Sequence, residues 1–349
     1  MIDANFMQSQ ATIDGIRKRP GMYVSSTDSR GVYSLLLNFI EEIIDCNRKK
    51  NASIKVHLDT CDTFHITSDT ITGVSGLLGL AAIKALSSNY SINMGQDSFN
   101  LVFKPDKAIF TYNTIEYYQL FRRLKELAQL NSNMKFILSN DKNNNILHFQ
   151  HGLKDMLLEG VYEFGLVSDP LEICFVKNGA EVSVSMVYAY ATDVTLSYFN
   201  NRRTHDGGTH VQGLLDGIFH AFQENVPEKI LKIQKDDVTQ NLNFVVNIKL
   251  PWINPHRPLA DETSNIRLPW AGVAPREGLD WQNKSHMGYW GFSGSTTREL
   301  ISENTYTLVK CGVAESLKTM LDVDQSFFHS SRVVHKAKLR EISSRRALQ

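Results

Sequence analysis

Three acidic side chains, Glu41, Glu42 and Asp45, lie close together in a stretch whose apolar residues recur at helical spacing. Carboxylates can accept a proton from water, and they suit Mg²⁺, which prefers hard oxygen ligands. A helix would present Glu42 and Asp45 on one face, because they are three residues apart. The plainer interpretation is a solvated acidic face ahead of the basic run Arg48-Lys49-Lys50.

Two histidines, His65 and His286, are further candidates for acid–base chemistry, because imidazole changes its charge near neutral pH. The spacing pairs neither of them with a second catalytic group, so each also fits an ordinary surface or core position. With Glu42 and Asp45 they make up the candidate acid–base set. These four residues do not define a reaction class.

The elements that must position these groups form a mixed pattern. Helical periodicity predicts helices over residues 31–48, 73–87 and 115–128, and strand-like segments lie at residues 53–58, 63–67, 90–112, 135–138 and 146–150. Farther along, strands are predicted over residues 180–191 and 242–250, and helices over residues 211–224, 299–321 and 333–348. The pattern indicates an α+β sandwich with helices on one face of a sheet.

Length and composition favour two domains in a soluble chain. The 349 residues are 42% hydrophobic, which is enough for two cores. Lys+Arg and Asp+Glu both number 37, and this balance argues against a protein that mainly coats DNA. No secretory leader or membrane-length apolar run is visible, and the four cysteines lack CxxC spacing. We therefore expect reduced thiols, a cytoplasmic location and no membrane partner.

Three sequence blocks occur in the order found in one known family. They are IRKRPGMYV at residues 16–24, FNNRRTHDGGTH at residues 199–210 and DDVTQNLNFVVNIK at residues 236–249. They resemble the V-R-K-R-P-G-M-Y-I, N-N-I-x-T-x-x-G-G-T-H and D-D-V-R-E-G-L-x-A-V-V-S-V-K motifs of the B subunit of bacterial type II DNA topoisomerases, gyrase B and topoisomerase IV B. Arg332-Val-Val-His-Lys336 resembles the helix that leaves that family's transducer domain.

The resemblance implies a GHKL-type α/β sandwich ATPase domain over residues 1–165. It implies a transducer domain with a ribosomal-protein-type β-α-β fold over residues 166–349, ending in a basic helix. The resemblance stops where the family continues into its DNA-cleaving half. In the first block, the Pro-Gly pair after three cations is typical of a turn.

The family's catalytic helix carries a glutamate that serves as general base and, four residues later, an asparagine that binds Mg²⁺. In this chain the two positions hold Asn38 and Glu42, so the residue types are exchanged, while Asp45 matches a family aspartate. A carboxamide has no basic lone pair that could accept the proton of water. The resemblance therefore implies that Asn38 cannot act as the base, whereas Glu42 could still bind a metal ion.

The remaining nucleotide-binding parts also depart from the family. Asp69 or Ser68 stands at the acidic adenine position, but β-branched residues at 70–72 replace the glycine pair that follows it. Most of the phosphate lid is deleted, and its glycines remain as Gly73, Gly76 and Gly79. Those glycines could mark a helix start that holds phosphate, or simply close helix packing. Ser264 stands where the family has a lysine that contacts the γ-phosphate.

The general base, the adenine-binding glycines, the phosphate lid and the γ-phosphate lysine are all altered. We therefore expect no ATP hydrolysis and no ATP or Mg²⁺ cofactor.

The sequence also has a feature without a counterpart in the family. All four tryptophans fall within a short stretch, and residues 269–297 form an irregular Trp-rich insertion. Its aromatic residues are candidates for contact with a ligand or partner: Trp270, Trp281, Tyr289, Trp290 and Phe292.

Three functions remain open at the level of sequence. The first is a pseudo-ATPase that acts as a binding or scaffold protein. It would form a homodimer through an arm at residues 1–13, and a gyrase subunit is a further possible partner. The second is a rebuilt pocket that serves as an enzyme or a small-molecule binder. The third is an accessory topoisomerase subunit, supported only by weak potential for DNA contact in the basic C-terminal helix.

Overall fold

The computed structural model describes residues 10–48, 50–59, 62–69, 78–96, 98–111, 115–161, 166–190, 193–225, 233–249, 291–292, 300–301 and 303–347. The chain forms two compact units, Met1–Gly152 and Leu153–Gln349. This division comes before the boundary near residue 165 that the sequence favoured. The reason is a helix, Leu153–Val161, that packs on strands of the second unit.

The first unit is a six-stranded mixed sheet with helices against one face. Its helices are α1 Gln10–Lys18, α2 Gly21–Val24, α3 Ser29–Cys46, α4 Leu78–Leu86 and α5 Tyr117–Leu130. Its strands are β1 Ala52–Leu58, β2 Phe64–Ser68, β3 Ser87–Met94, β4 Phe99–Pro105, β5 Met134–Ser139 and β6 Asn144–Leu147. The strand order is β3-β4-β2-β1-β5-β6.

Strand β1 lies at the centre of this sheet, antiparallel to β2 and parallel to β5. Val56 faces Ile66 on one side and Leu138 on the other, and all three are fully buried. Alternate residues point away from the helices, because side chains alternate between the two faces of a strand. That second face carries Lys55, Lys135 and other exposed or half-buried side chains.

Helix α3 places the acidic residues. It begins after Asp28, whose side chain accepts a hydrogen bond from the backbone N–H of Arg30, as an N-cap aspartate does. Its apolar stripe is buried in the core of the unit, which also contains Ile16 and Leu80. The helix thus presents its polar residues toward α2, α4 and α5.

The second unit contains a five-stranded sheet with helices. Its elements are α6 Leu153–Val161, β7 Leu171–Lys177, β8 Ala180–Tyr188, β9 Thr195–Phe199, β10 Arg202–Arg203, α7 Thr209–Asn225, α8 Lys235–Thr239, β11 Leu242–Lys249, β12 Gly291–Phe292, β13 Leu300–Ile301, α9 Glu303–Val323, α10 Ser326–Ser330 and α11 Val333–Ala347. The strand order in the five-stranded sheet is β10-β9-β11-β8-β7. The expected α+β class is confirmed in both units.

Helices α7 and α9 pack closely because two glycines of α7 face the backbone of α9. A Cβ on Gly213 would lie 2.6 Å from the Tyr306 carbonyl oxygen, and one on Gly217 would lie 2.7 Å from that of Lys310. Any larger side chain would force the helices apart. In the described ranges, no helix is both long enough and apolar enough to cross a membrane.

Candidate functional site

The block at residues 16–24 folds as a helical turn rather than the chain reversal that its Pro-Gly pair predicted. Pro20 has helical backbone angles and precedes the one-turn helix α2, Gly21–Val24. The fixed φ of proline suits the start of a helix as well as a turn, which explains the difference. Gly21 is not among the residues with positive φ.

Arg17, from the same block, binds the last turn of helix α4. Its Nη1 donates to the carbonyl oxygen of Ala85 at 2.6 Å, and its Nη2 contacts Asp106 at 2.6 Å. A guanidinium at this place compensates the partial negative charge of the helix C-terminus. The Arg17 contact also holds the pKa of the Asp106 carboxyl below its ordinary value.

The opposite end of α4 is held by Glu42 of helix α3. The carboxyl Oε2 of Glu42 accepts a hydrogen bond from the backbone N–H of Gly79 at 2.8 Å. The first N–H groups of a helix lack partners within the helix, so Glu42 supplies an acceptor from another element. Helix α4 therefore has a carboxyl group at its start and a guanidinium at its end.

Gly79 is required by this close approach. An added Cβ would lie 2.7 Å from Oε2 of Glu42 and 3.0 Å from the Cα of Phe39. The second contact is with the backbone of α3, which cannot rotate away. Of the two interpretations of these glycines, close helix packing describes Gly79, whereas Gly73 and Gly76 lie outside the described residues.

Burial raises the pKa of Glu42 to about 8, and the nearby negative charge of Asp45 and Glu41 adds to the shift. The hydrogen bonds from Gly79 and Leu78 act in the opposite direction but do not cancel it. At neutral pH the carboxyl group is therefore mostly protonated. A neutral carboxylic acid is a poor ligand for Mg²⁺, because the ion would first have to displace the proton.

The interpretation of Glu41, Glu42 and Asp45 as a solvated acidic face is wrong. Glu41 binds Arg123 of helix α5 at 2.9 Å, and both side chains are largely buried. Asp45 binds Arg48 at 2.7 Å with similar burial. The sequence missed the pair with Arg123 because that residue is distant in the chain.

Asn38, which the resemblance aligned with the family's base, makes a structural contact. Its Nδ2 donates to the backbone carbonyl oxygen of Tyr23 at 3.2 Å. This contact joins α3 to the helical turn of the first block. A glutamate at this position could not donate that hydrogen bond when ionised, because a carboxylate only accepts.

Asp69, one of the two residues that the resemblance offers for the adenine position, is exposed and binds its own sheet. Oδ1 of Asp69 accepts from the backbone N–H of Ser53 at 2.7 Å, extending the β1–β2 ladder beyond Ser68. Ser68 itself is almost fully buried. The β-branched residues at 70–72, which follow, lie outside the described residues.

His65 lies on β2, on the sheet face that points away from α3, so the structure does not bring it together with Glu42 and Asp45. His286, Ser264, Trp270, Trp281, Tyr289 and Trp290 lie outside the described residues, and only the backbone of Phe292 is described, in β12 paired with β13. Over the described ranges, no group of three or more His, Cys, Asp or Glu side chains could hold a metal ion.

The second and third blocks form structural contacts in the second unit. His210 is fully buried, its Nε2 lies 3.2 Å from the hydroxyl of Thr204, and burial lowers its pKa to about 4. Lys336 donates to the carbonyl oxygens of Asp237 and Gln240 at the end of α8, and Arg340 pairs with Asp237. Two cations of the basic C-terminal helix are thus engaged inside the unit.

Comparison with known proteins finds similarity to the B subunits of bacterial type II DNA topoisomerases. A family model described as DNA gyrase B matches residues 139–254. The B subunit of DNA topoisomerase 4 from Mycoplasma capricolum subsp. capricolum is 25% identical over 319 residues, covering 71% of this chain and 50% of the relative. The B subunit of DNA gyrase from Staphylococcus epidermidis is 26% identical over 315 residues, covering 68% of this chain and 48% of the relative. The chain thus spans about half the length of these relatives.

Solved structures agree with this at the level of the fold. The 43K ATPase domain of Thermus thermophilus gyrase B, in complex with an aminocoumarin, matches with a TM-score of 0.73 at 19% identity and 96% coverage of both chains. The topoisomerase IV ATP-binding domain of Francisella tularensis matches with a TM-score of 0.67 at 19% identity, covering 95% of this chain and 98% of that one. In sequence the chain is similar to DNA gyrase B and topoisomerase IV B subunits, and it shares the fold of their ATPase domains.

Proposed function

We propose that this chain is a gyrase B-like pseudo-ATPase: a dimeric binding or scaffold protein that has lost ATP hydrolysis and uses neither ATP nor Mg²⁺. The observation that carries the proposal is the hydrogen bond from Gly79 to Glu42. In the family, phosphate is held by backbone N–H groups at a helix start. In this chain the Glu42 carboxyl accepts the backbone N–H of Gly79 at a helix start, so a phosphate group would have to displace Glu42.

The other remnants of the site support the same conclusion. Asn38 donates to Tyr23, and Asp69 accepts from Ser53, so each serves a neighbouring backbone group. A protonated Glu42 does not suit Mg²⁺. These residues therefore do not fit MgATP, and a missing general base alone removes about 10²–10⁴ in rate.

The scaffold part of the proposal rests on what the chain retains. Both units keep a continuous apolar core, so the decay of the site has not spread to the fold. The proposed partners are a second copy of the chain, with residues 1–13 as the arm, and a gyrase subunit. DNA contact stays a minor expectation, since Lys336 and Arg340 already hold α8.

Two measurements test this proposal. A phosphate-release assay with MgATP should give the rate of a buffer blank, and the Glu42→Gln variant serves as the control for contaminating ATPases. Release that disappears in this variant would refute the loss of hydrolysis. Sedimentation equilibrium should give a dimer, and a monomer at all concentrations would refute the scaffold assembly.

A further inference from the structure

Two histidines of the first unit lie opposite one another on the open face of the six-stranded sheet. His57 of β1 pairs directly with His65 of β2, and their ring centroids are 5.6 Å apart at an angle of 69°. Both side chains are half-buried. Their faces are fixed, because Val56, Leu58 and the other alternate residues of β1 contribute to the core beneath.

The row of side chains continues to β5, where Ser139 is the register partner of His57. The hydroxyl of Ser139 lies 2.9 Å from Nδ1 of His57. When Nδ1–H donates to this hydroxyl, Nε2 keeps its lone pair and is the ring nitrogen that can bind a metal ion. A metal-binding histidine is commonly oriented in this way, through a hydrogen bond from its other ring nitrogen.

The geometry points to a binding site for a divalent transition-metal ion, held by the imidazoles of His57 and His65, with Ser139 orienting His57. Imidazole nitrogen suits Zn²⁺, Cu²⁺ and Ni²⁺, and affinity for such a site is highest for Cu²⁺. Two directly opposed residues on neighbouring antiparallel strands lie close enough to share one ion. Water would complete the coordination.

The charged residues beside His57 and His65 are compatible with a bound cation. Lys55 lies two residues before His57 on the same face, and it is exposed, so its ammonium group can remain in water. On the other side, the backbone N–H of Asp59 donates to the carbonyl oxygen of Thr63, which places Asp59 in the next row of that face.

The strand pair is also rigid enough to preorganise the two ligands. Strand β1 is bonded to β2 and β5, and β2 is also bonded to β4, so neither histidine lies on an edge strand. The backbone therefore need not move when an ion binds. The binding energy should instead appear as added stability of the folded unit.

The test uses the full chain freed of metal with a chelator, and titrates it with Cu²⁺ and with Zn²⁺. We expect one equivalent to bind and to raise the melting temperature, and the Cu²⁺ spectrum in electron paramagnetic resonance to contain couplings from two imidazole nitrogens. Ser139→Ala should weaken binding by about tenfold, as the loss of an orienting partner does. His57→Gln and His65→Gln should weaken binding further.

His148→Gln is the matched control, because His148 is an exposed histidine of the same unit. It should leave the affinity unchanged. Equal affinity of the wild type and His57→Gln would overturn the proposal, as would an equal loss in His148→Gln. Retained melting temperatures of the metal-free variants separate loss of ligands from loss of fold.

Discussion

Gly79 donates its backbone N–H to Glu42 across 2.8 Å, and this bond joins the start of helix α4 to the middle of helix α3. The two residues are 37 positions apart in the sequence. Glu42 therefore supplies the hydrogen-bond acceptor at a helix start, a place where a phosphate oxygen can accept the same N–H. The stability of the first unit and its response to nucleotide should both depend on this contact and its neighbours.

Replacement of Gly79 by alanine should destabilise the protein by about 1–3 kcal/mol, as overpacking of a tight contact does. The new Cβ would press on Glu42 and on the backbone of Phe39. Urea unfolding measures the change. Gly15→Ala is the control with the opposite sign, since nothing lies within 4 Å of its Cβ and alanine favours a helix by about 0.5–1 kcal/mol. Equal stability of Gly79→Ala and the wild type would contradict the packing.

The stability contribution of Glu42 should depend on pH. Its pKa is raised from 4.5 to about 8, so the folded state binds more protons than the unfolded state between these values. The favourable contribution is complete below about 4.5 and is lost as the pH rises through about 8. Relative to Glu42→Gln, the wild type should therefore lose up to about 5 kcal/mol between these limits, since each unit of pKa shift corresponds to about 1.4 kcal/mol. A difference that does not vary with pH would contradict the raised pKa.

Arg17→Ala should lower the free energy of unfolding, because Arg17 binds the C-terminal end of α4. It removes the contacts with Ala85 and Asp106, and we expect a loss of about 1 kcal/mol, since the partly exposed arginine is screened by solvent. The pKa of Asp106 is lowered by this pair, so the stabilisation is present above the ordinary carboxyl pKa and is lost as the pH falls through the lower folded value. Denaturant unfolding should therefore show a difference between the two proteins at neutral pH that shrinks at acidic pH.

Exchange of the two catalytic-helix residues should not restore an ATPase. The double variant Asn38→Glu, Glu42→Asn returns the residue types to the family order, yet residues 70–72 and Ser264 keep their changes. Asparagine is also shorter than glutamate, so we expect the bond to Gly79 to be lost and the melting temperature to fall. A phosphate-release assay decides this. Turnover in the double variant would locate the whole loss at these two positions.

Much of the fold could be predicted from residue patterns, because local periodicity and turn residues carry that information. Helix α3 was expected over residues 31–48 and is found at Ser29–Cys46, with the Asp28 cap explaining its earlier start. Strand β7, Leu171–Lys177, was missed although it is rich in β-branched and aromatic residues. Helix α6 was missed as well, and this shifted the expected boundary.

The candidate site was less accessible to sequence reasoning, because its contacts join distant residues. The sequence singled out Asn38 and Glu42, but it did not indicate their partners Tyr23 and Gly79. Arg17 stood in the first block and was treated only as part of a basic run. Its role at the end of α4 depends on how the helices pack, which spacing along the chain does not specify.

Calorimetric titration of the purified full chain with MgATP tests the central claim most directly. With Glu42 on the N–H of Gly79, we predict no saturable heat up to about 1 mM, the upper end of ordinary KM values. An active gyrase B ATPase domain under the same conditions is the positive control. Saturable binding at micromolar MgATP would mean that a triphosphate still reaches this helix start, and it would contradict the account.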